Sequence, residues 1–84
     1  MTELQLYKFI KKNNIEWHKE KNQGNDDVLI FVMSFQIESF FELLKDFDFD
    51  EGINCRLKSN YLCVWMVDIC EYFGIDFRNV FIDY

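Results

Sequence analysis

The stretch Lys45-Asp46-Phe47-Asp48-Phe49-Asp50-Glu51-Gly52 sets three aspartates at alternate positions ahead of a glutamate and a glycine. Carboxylates so spaced could begin a calcium loop. Such a loop needs a glycine at its sixth position for the sharp turn and a bidentate glutamate at its twelfth. Counted from Asp46, the sixth residue is Glu51, Gly52 comes one place late, and the twelfth is Leu57. The closing ligand is missing, so no metal site is expected here.

The same carboxylates continue a pattern that starts earlier. Glu38, Glu42 and Asp46 stand at i, i+4 and i+8, one ridge along the outer side of a predicted helix, and Asp48, Asp50 and Glu51 prolong it. Like charges at i,i+4 repel by about 0.2–0.5 kcal/mol per pair. Phe47 and Phe49 can anchor the segment in the core. The plain reading is a solvated acidic face; the functional one is a docking strip for a basic surface, of the kind that grips nucleic-acid phosphates.

Other side chains offer little chemistry. His18 is the single histidine, without clustered cysteines or carboxylates at ligand spacing, and no glycine-rich phosphate loop exists. Cys55, Cys63 and Cys70 form an odd set with no C-x-x-C spacing, which points to reduced thiols rather than disulfides or zinc. No catalytic residue, metal or cofactor is expected. Tyr61 and Trp65, beside Lys58 and Arg56, are a second candidate contact surface. A helix covering that face, with the aromatics as core, is the simpler expectation for so small a domain.

The chain is 84 residues, half of them hydrophobic and 19% aromatic, which suits one small, ring-filled domain. Its longest apolar run, Val28 to Met33, is too short to span a bilayer, and the opening MTELQLYKFIKK does not read as a signal peptide. A cytoplasmic protein is expected. Net charge is −6, unevenly spread: residues 1–25 hold five lysines against three glutamates, and residues 26–84 hold twelve acids against four bases. An acidic body disfavours nucleic acid and anionic membranes as direct partners and favours a protein with a basic surface.

The elements that must position these groups read as follows. Thr2 and Gln5 fit a capping box ahead of a helix ending at Asn13-Asn14. Ile15 to Lys19 alternates as a half-buried strand, residues 21–27 form a turn, and Val28 to Met33 reads as a central strand covered on both faces. Ser34 is placed to cap a second helix with Ile37, Phe40, Phe41 and Leu44 on its inner stripe. Residues 53–58 and 61–66 form a hairpin around Ser59-Asn60. That register pairs Leu57 with Leu62, Cys55 with Val64 and Ile53 with Met66 on one face, and sends Cys55 and Cys63 to opposite faces. Asp68 opens a third helix that Gly74 ends. The expected fold is a small two-layer α+β domain of order α-β-β-α-β-β-α, with three helices against a mainly antiparallel sheet of about four strands in two hairpins.

Two resemblances bear on function. Asp68-Ile69-Cys70-Glu71-Tyr72-Phe73-Gly74-Ile75-Asp76-Phe77-Arg78-Asn79-Val80-Phe81 resembles the helix-glycine-turn part of phage-repressor-like helix-turn-helix domains, with Ile69, Cys70, Gly74, Ile75 and Val80 at the matching places. That likeness implies a transcription-related module contacting DNA. A reading helix from Asp76 would display Asp76, Phe77 and Asp83 with only Arg78 basic, which suits packing better than phosphate contact. Through ELQLYKFIKKNNIEWH, FFELL and DICEYFGID…VF, the chain also resembles small uncharacterised phage and prophage proteins of Gram-positive bacteria. Such proteins include acidic anti-CRISPR inhibitors that act as nucleic-acid mimics, so this likeness implies a phage-encoded inhibitor.

Overall fold

A computed structural model describes residues 1–82. Helix α1, Glu3–Lys12, starts at the expected capping box: Thr2 Oγ1 accepts the Gln5 N–H at 3.2 Å, and Gln5 Oε1 accepts the Thr2 N–H at 2.8 Å. It buries Leu6 and Ile10. Its exit is a Schellman motif: Asn14 turns left-handed at φ 50°, and the Ile15 and Asn14 N–H groups donate to the carbonyls of Ile10 and Lys11. Ile15, carried just past that turn, is buried as β1 begins.

Strands β1 (Glu16–Asn22) and β2 (Asn25–Met33) form the first hairpin. The turn expected over residues 21–27 shrinks to Gln23-Gly24. Both have positive φ, 54° and 83°, as a type I′ turn demands, and its twist matches that of the strands. The polar residues on either side therefore pair in register, Asn22 with Asn25 and Lys21 with Asp26.

After β2, Ser34 does not cap a helix. Residues Ser34–Gln36 make a 3-10 turn, and α2 runs only from Ile37 to Leu43. Gln36 acts instead: its buried side chain accepts the Met33 N–H at 3.1 Å and donates to the Asn13 carbonyl at 3.0 Å. The β2–α2 junction is thereby tied to the end of α1. Phe40 and Leu44 are buried, while Phe41, expected inside, is 39% exposed.

Strands β3 (Cys55–Leu57) and β4 (Tyr61–Trp65) form the second hairpin. Its register is the expected one, with Leu57 opposite Leu62, Arg56 opposite Cys63 and Cys55 opposite Val64. Ile53 does not reach Met66. The chain turns away before β3, leaving Ile53 61% exposed, and the Met66 N–H donates to Val28. Leu57, on an edge strand, is exposed as well.

All strand pairs are antiparallel, in the order β1-β2-β4-β3. Helix α3, Val67–Tyr72, ends at Gly74 with the Schellman pairing seen in α1, Ile75 donating to Cys70 and Gly74 to Glu71. One further turn of helix, α4 (Phe77–Val80), brings the α-helices among the described residues to four rather than three. The helices and one face of the sheet share a single core, which includes Val28, Ile30, Val32, Leu62, Val64 and Met66 from the strands. The result is the expected α+β domain. Central strand β2, however, is fully buried on that face only; Leu29 and Phe31 on the other stay half-exposed.

Candidate binding surfaces

The acidic segment is built differently from a helical ridge. Glu38 and Glu42 lie exposed on α2, but the helix ends before Asp46, which sits in the turn that follows. There the Phe47 N–H donates to the Leu44 carbonyl at 2.9 Å, and Tyr72 Oη donates to the Asp46 carbonyl at 3.0 Å. Beyond it, burial alternates: Phe47 and Phe49 turn inward, Asp48 and Asp50 outward. The two rings meet edge to face at 5.1 Å; Phe49 leans on Phe41 at 5.1 Å, and Phe47 on Tyr72 at 5.4 Å. The anchoring expected of these phenylalanines is present.

Backbone bonds fix the rest of the segment. The Asp50 carbonyl accepts the N–H groups of Ile53 at 3.1 Å and Asn54 at 2.8 Å, and the buried Asn54 side chain accepts the Asp50 N–H at 3.0 Å. Asn54 in turn accepts from Trp65 of β4. Gly52 takes a φ of +96°, a conformation that side chains rarely adopt, and donates to Cys55 at 2.7 Å. The glycine of the apparent calcium loop thus serves this turn. Among the described residues no three His, Cys, Asp or Glu side chains gather as a metal site would require.

Among the described residues no ion pair neutralises the segment. Ion pairs among the described residues join His18 to Glu16, Lys21 to Asp26 and Arg78 to Asp76. None involves Glu38, Glu42, Asp46, Asp48, Asp50 or Glu51, although Lys45 lies within the run and shares a surface hollow with Glu42 and Asp46.

Tyr61 and Trp65 lie on the second surface, where no helix of the described residues packs. The register places Glu16, Phe31, Cys63 and Arg56 in one row across the outer face of the sheet, with His18, Leu29 and Trp65 in the next and Met33 beside Tyr61. Phe31 stacks edge-on to His18 at 5.5 Å and packs near Tyr61 at 6.0 Å. Leu29, Phe31, Tyr61, Cys63 and Trp65 are all half-exposed and outside the core cluster. A hollow of about 260 Å³ opens among Leu29, Ile53, Arg56, Cys63 and Trp65. The covering helix expected over these aromatics is absent from the described residues, because every helix packs on the opposite face.

Residues 68–81 place their small and apolar positions inside, with Ile69, Cys70, Ile75 and Val80 buried. Asp76 caps the single turn of α4 through the Arg78 N–H at 3.0 Å and also holds the Arg78 guanidinium at 3.0 Å. The one base of that turn is thus paired, and Asp83 lies outside the described residues.

All three thiols are free, with Cys55 and Cys63 on opposite faces. Burial pushes the Cys70 thiol up to about 12, with Asp27 and Asp76 adding to the shift. Burial likewise raises Cys55 and Cys63, so none is poised as a nucleophile.

Three buried polar residues, Asp27, Gln36 and Asn54, escaped the sequence reading. Asp27 does the most. Its Oδ1 accepts the N–H groups of Val28 at 2.7 Å and Val67 at 3.0 Å, and its Oδ2 accepts from Asn22 at 3.0 Å. One carboxylate thus joins the start of α3 to the first hairpin. No signal beyond its place before an apolar strand marked it.

No family model, curated protein or solved structure matches the chain. Among the described residues no helix is long and apolar enough to cross a membrane.

Proposed function

We propose that this protein is a small non-enzymatic binding module that docks the acidic segment Glu38–Glu51 on the basic surface of a partner protein. The observation that carries the reading is a run of six exposed carboxylates, none paired with a cation among the described residues, held in place by inward-turned rings and backbone bonds. An acidic surface of this kind complements a site that grips phosphates, and charge complementarity favours fast, selective association. With the likeness to phage proteins, the proposed partner is a host nucleic-acid-binding enzyme in the cytoplasm, and the proposed effect is inhibition. Direct DNA contact through residues 68–81 has less behind it, since Arg78 is held by Asp76.

The test is capture from a Gram-positive bacterial lysate with wild type and with a variant carrying Glu42→Gln, Asp46→Asn, Asp48→Asn and Asp50→Asn. Among the described residues none of these side chains makes a hydrogen bond or ion pair, so the variant is expected to fold normally. Wild type is expected to retain a basic DNA- or RNA-handling protein. The variant should bind it at least about tenfold more weakly and with a flatter salt dependence. Equal retention with equal salt dependence would refute the reading.

A further inference from the structure

We infer that the outer face of the sheet, uncovered among the described residues, closes on the same face of a second copy of this chain. The inference is independent of the acidic segment and goes beyond the docking reading.

The register makes this face self-complementary. In the row Glu16–Phe31–Cys63–Arg56 an acid stands at one edge, a base at the other, and two apolar residues between. A two-fold axis lying in the interface, parallel to the strands and between β2 and β4, exchanges the two halves of the face. Glu16 of one copy then opposes Arg56 of the other, and the reverse holds across the axis. The same operation sets Phe31 against Cys63, Leu29 against Trp65 and Met33 against Tyr61. Every apolar residue of the face meets another, and both ends meet an opposite charge. The relative rotation of about −30° usual for stacked sheets keeps the central pairs together.

Charge also permits it. The chain carries −6, but on this face three acids, Glu16, Glu20 and the buried Asp27, stand against two bases, Arg56 and Lys58, leaving about −1. Repulsion between the acidic bodies therefore acts mainly from outside the contact. Four strands about 4.8 Å apart and five residues at about 3.3 Å make a face of roughly 300 Å² in plan. That is small beside the roughly 800 Å² per partner of a standard complex, so the expected dimer is a weak, reversible one.

Sedimentation equilibrium with charge-reversed variants tests the inference. Wild type is expected to follow a weak, reversible monomer–dimer equilibrium. Arg56→Glu alone and Glu16→Arg alone each set like charges opposite one another twice, and should weaken self-association by about tenfold or more. An equimolar mixture of the two variants restores both opposite-charge pairs, so it should dimerise as wild type does. That recovery also shows that each variant is folded. A wild type that stays monomeric at several hundred micromolar would overturn the inference, as would a dimer indifferent to both reversals or a mixture that fails to recover. Capture of a foreign protein on this face by a monomeric wild type would overturn it too.

Discussion

Asp27→Ala is expected to remove about 2–4 kcal/mol of folding stability, because two backbone N–H groups lose their acceptor at once. Val28, one of the two, is completely buried, and Val67 opens α3, a helix with no side-chain cap of its own. A domain of 84 residues has roughly 4–12 kcal/mol to lose, so the effect is a large fraction of the whole. Asp27→Asn keeps one acceptor oxygen but turns an amide N–H₂ toward the donating side chain of Asn22, and should cost about half as much. Chemical denaturation of the three proteins measures both values. A loss below about 0.5 kcal/mol for the alanine variant would mean that water satisfies these N–H groups and that the strand–helix tie is dispensable.

Alkali is the second large lever. Cys70 is 1% exposed and its thiol is pushed up to about 12 by burial, whereas an unfolded thiol ionises near pH 8.5. Above that pH the unfolded chain releases the Cys70 proton while the folded chain keeps it. The unfolded state then binds fewer protons, so stability falls as pH rises, by about 1.4 kcal/mol for each pH unit, until the folded thiol also ionises near 12. Cys70→Ala removes this dependence. Lysines, tyrosines and the other two thiols titrate in both proteins and cancel in the comparison. Denaturation midpoints between pH 8 and pH 11 should therefore fall more steeply for wild type than for Cys70→Ala. Parallel curves would show that the thiol ionises in the folded protein as easily as in water.

What could be read from the sequence follows from where hydrophobic periodicity carries information. The register of β3 with β4 was legible because a two-residue turn, Ser59-Asn60, lies between two alternating runs. The first hairpin was not, since Lys21 to Asp27 has no apolar alternation and its register rests on Gln23-Gly24 alone. Carboxylates at Glu38, Glu42 and Asp46 kept a helical period past the place where the helix stops. The chain leaves there to deliver Phe47 and Phe49 to the ring cluster, a tertiary demand that local spacing does not encode. For the aromatic candidates, alternation showed that Tyr61 and Trp65 share a face. It carried no information on which face the helices would choose.

The central claim is that the carboxylates from Glu38 to Glu51 form the preferred landing surface for a basic chain. The most direct measurement is an NMR titration of the isotope-labelled protein with an oligoarginine peptide at moderate salt. Amide shifts are predicted to concentrate in residues 42–51, reaching Tyr72 through its bond to Asp46, and to shrink in the variant with Glu42, Asp46, Asp48 and Asp50 neutralised. Shifts spread evenly over Glu3, Glu20, Asp68 and Glu71, or strongest there, would contradict the claim.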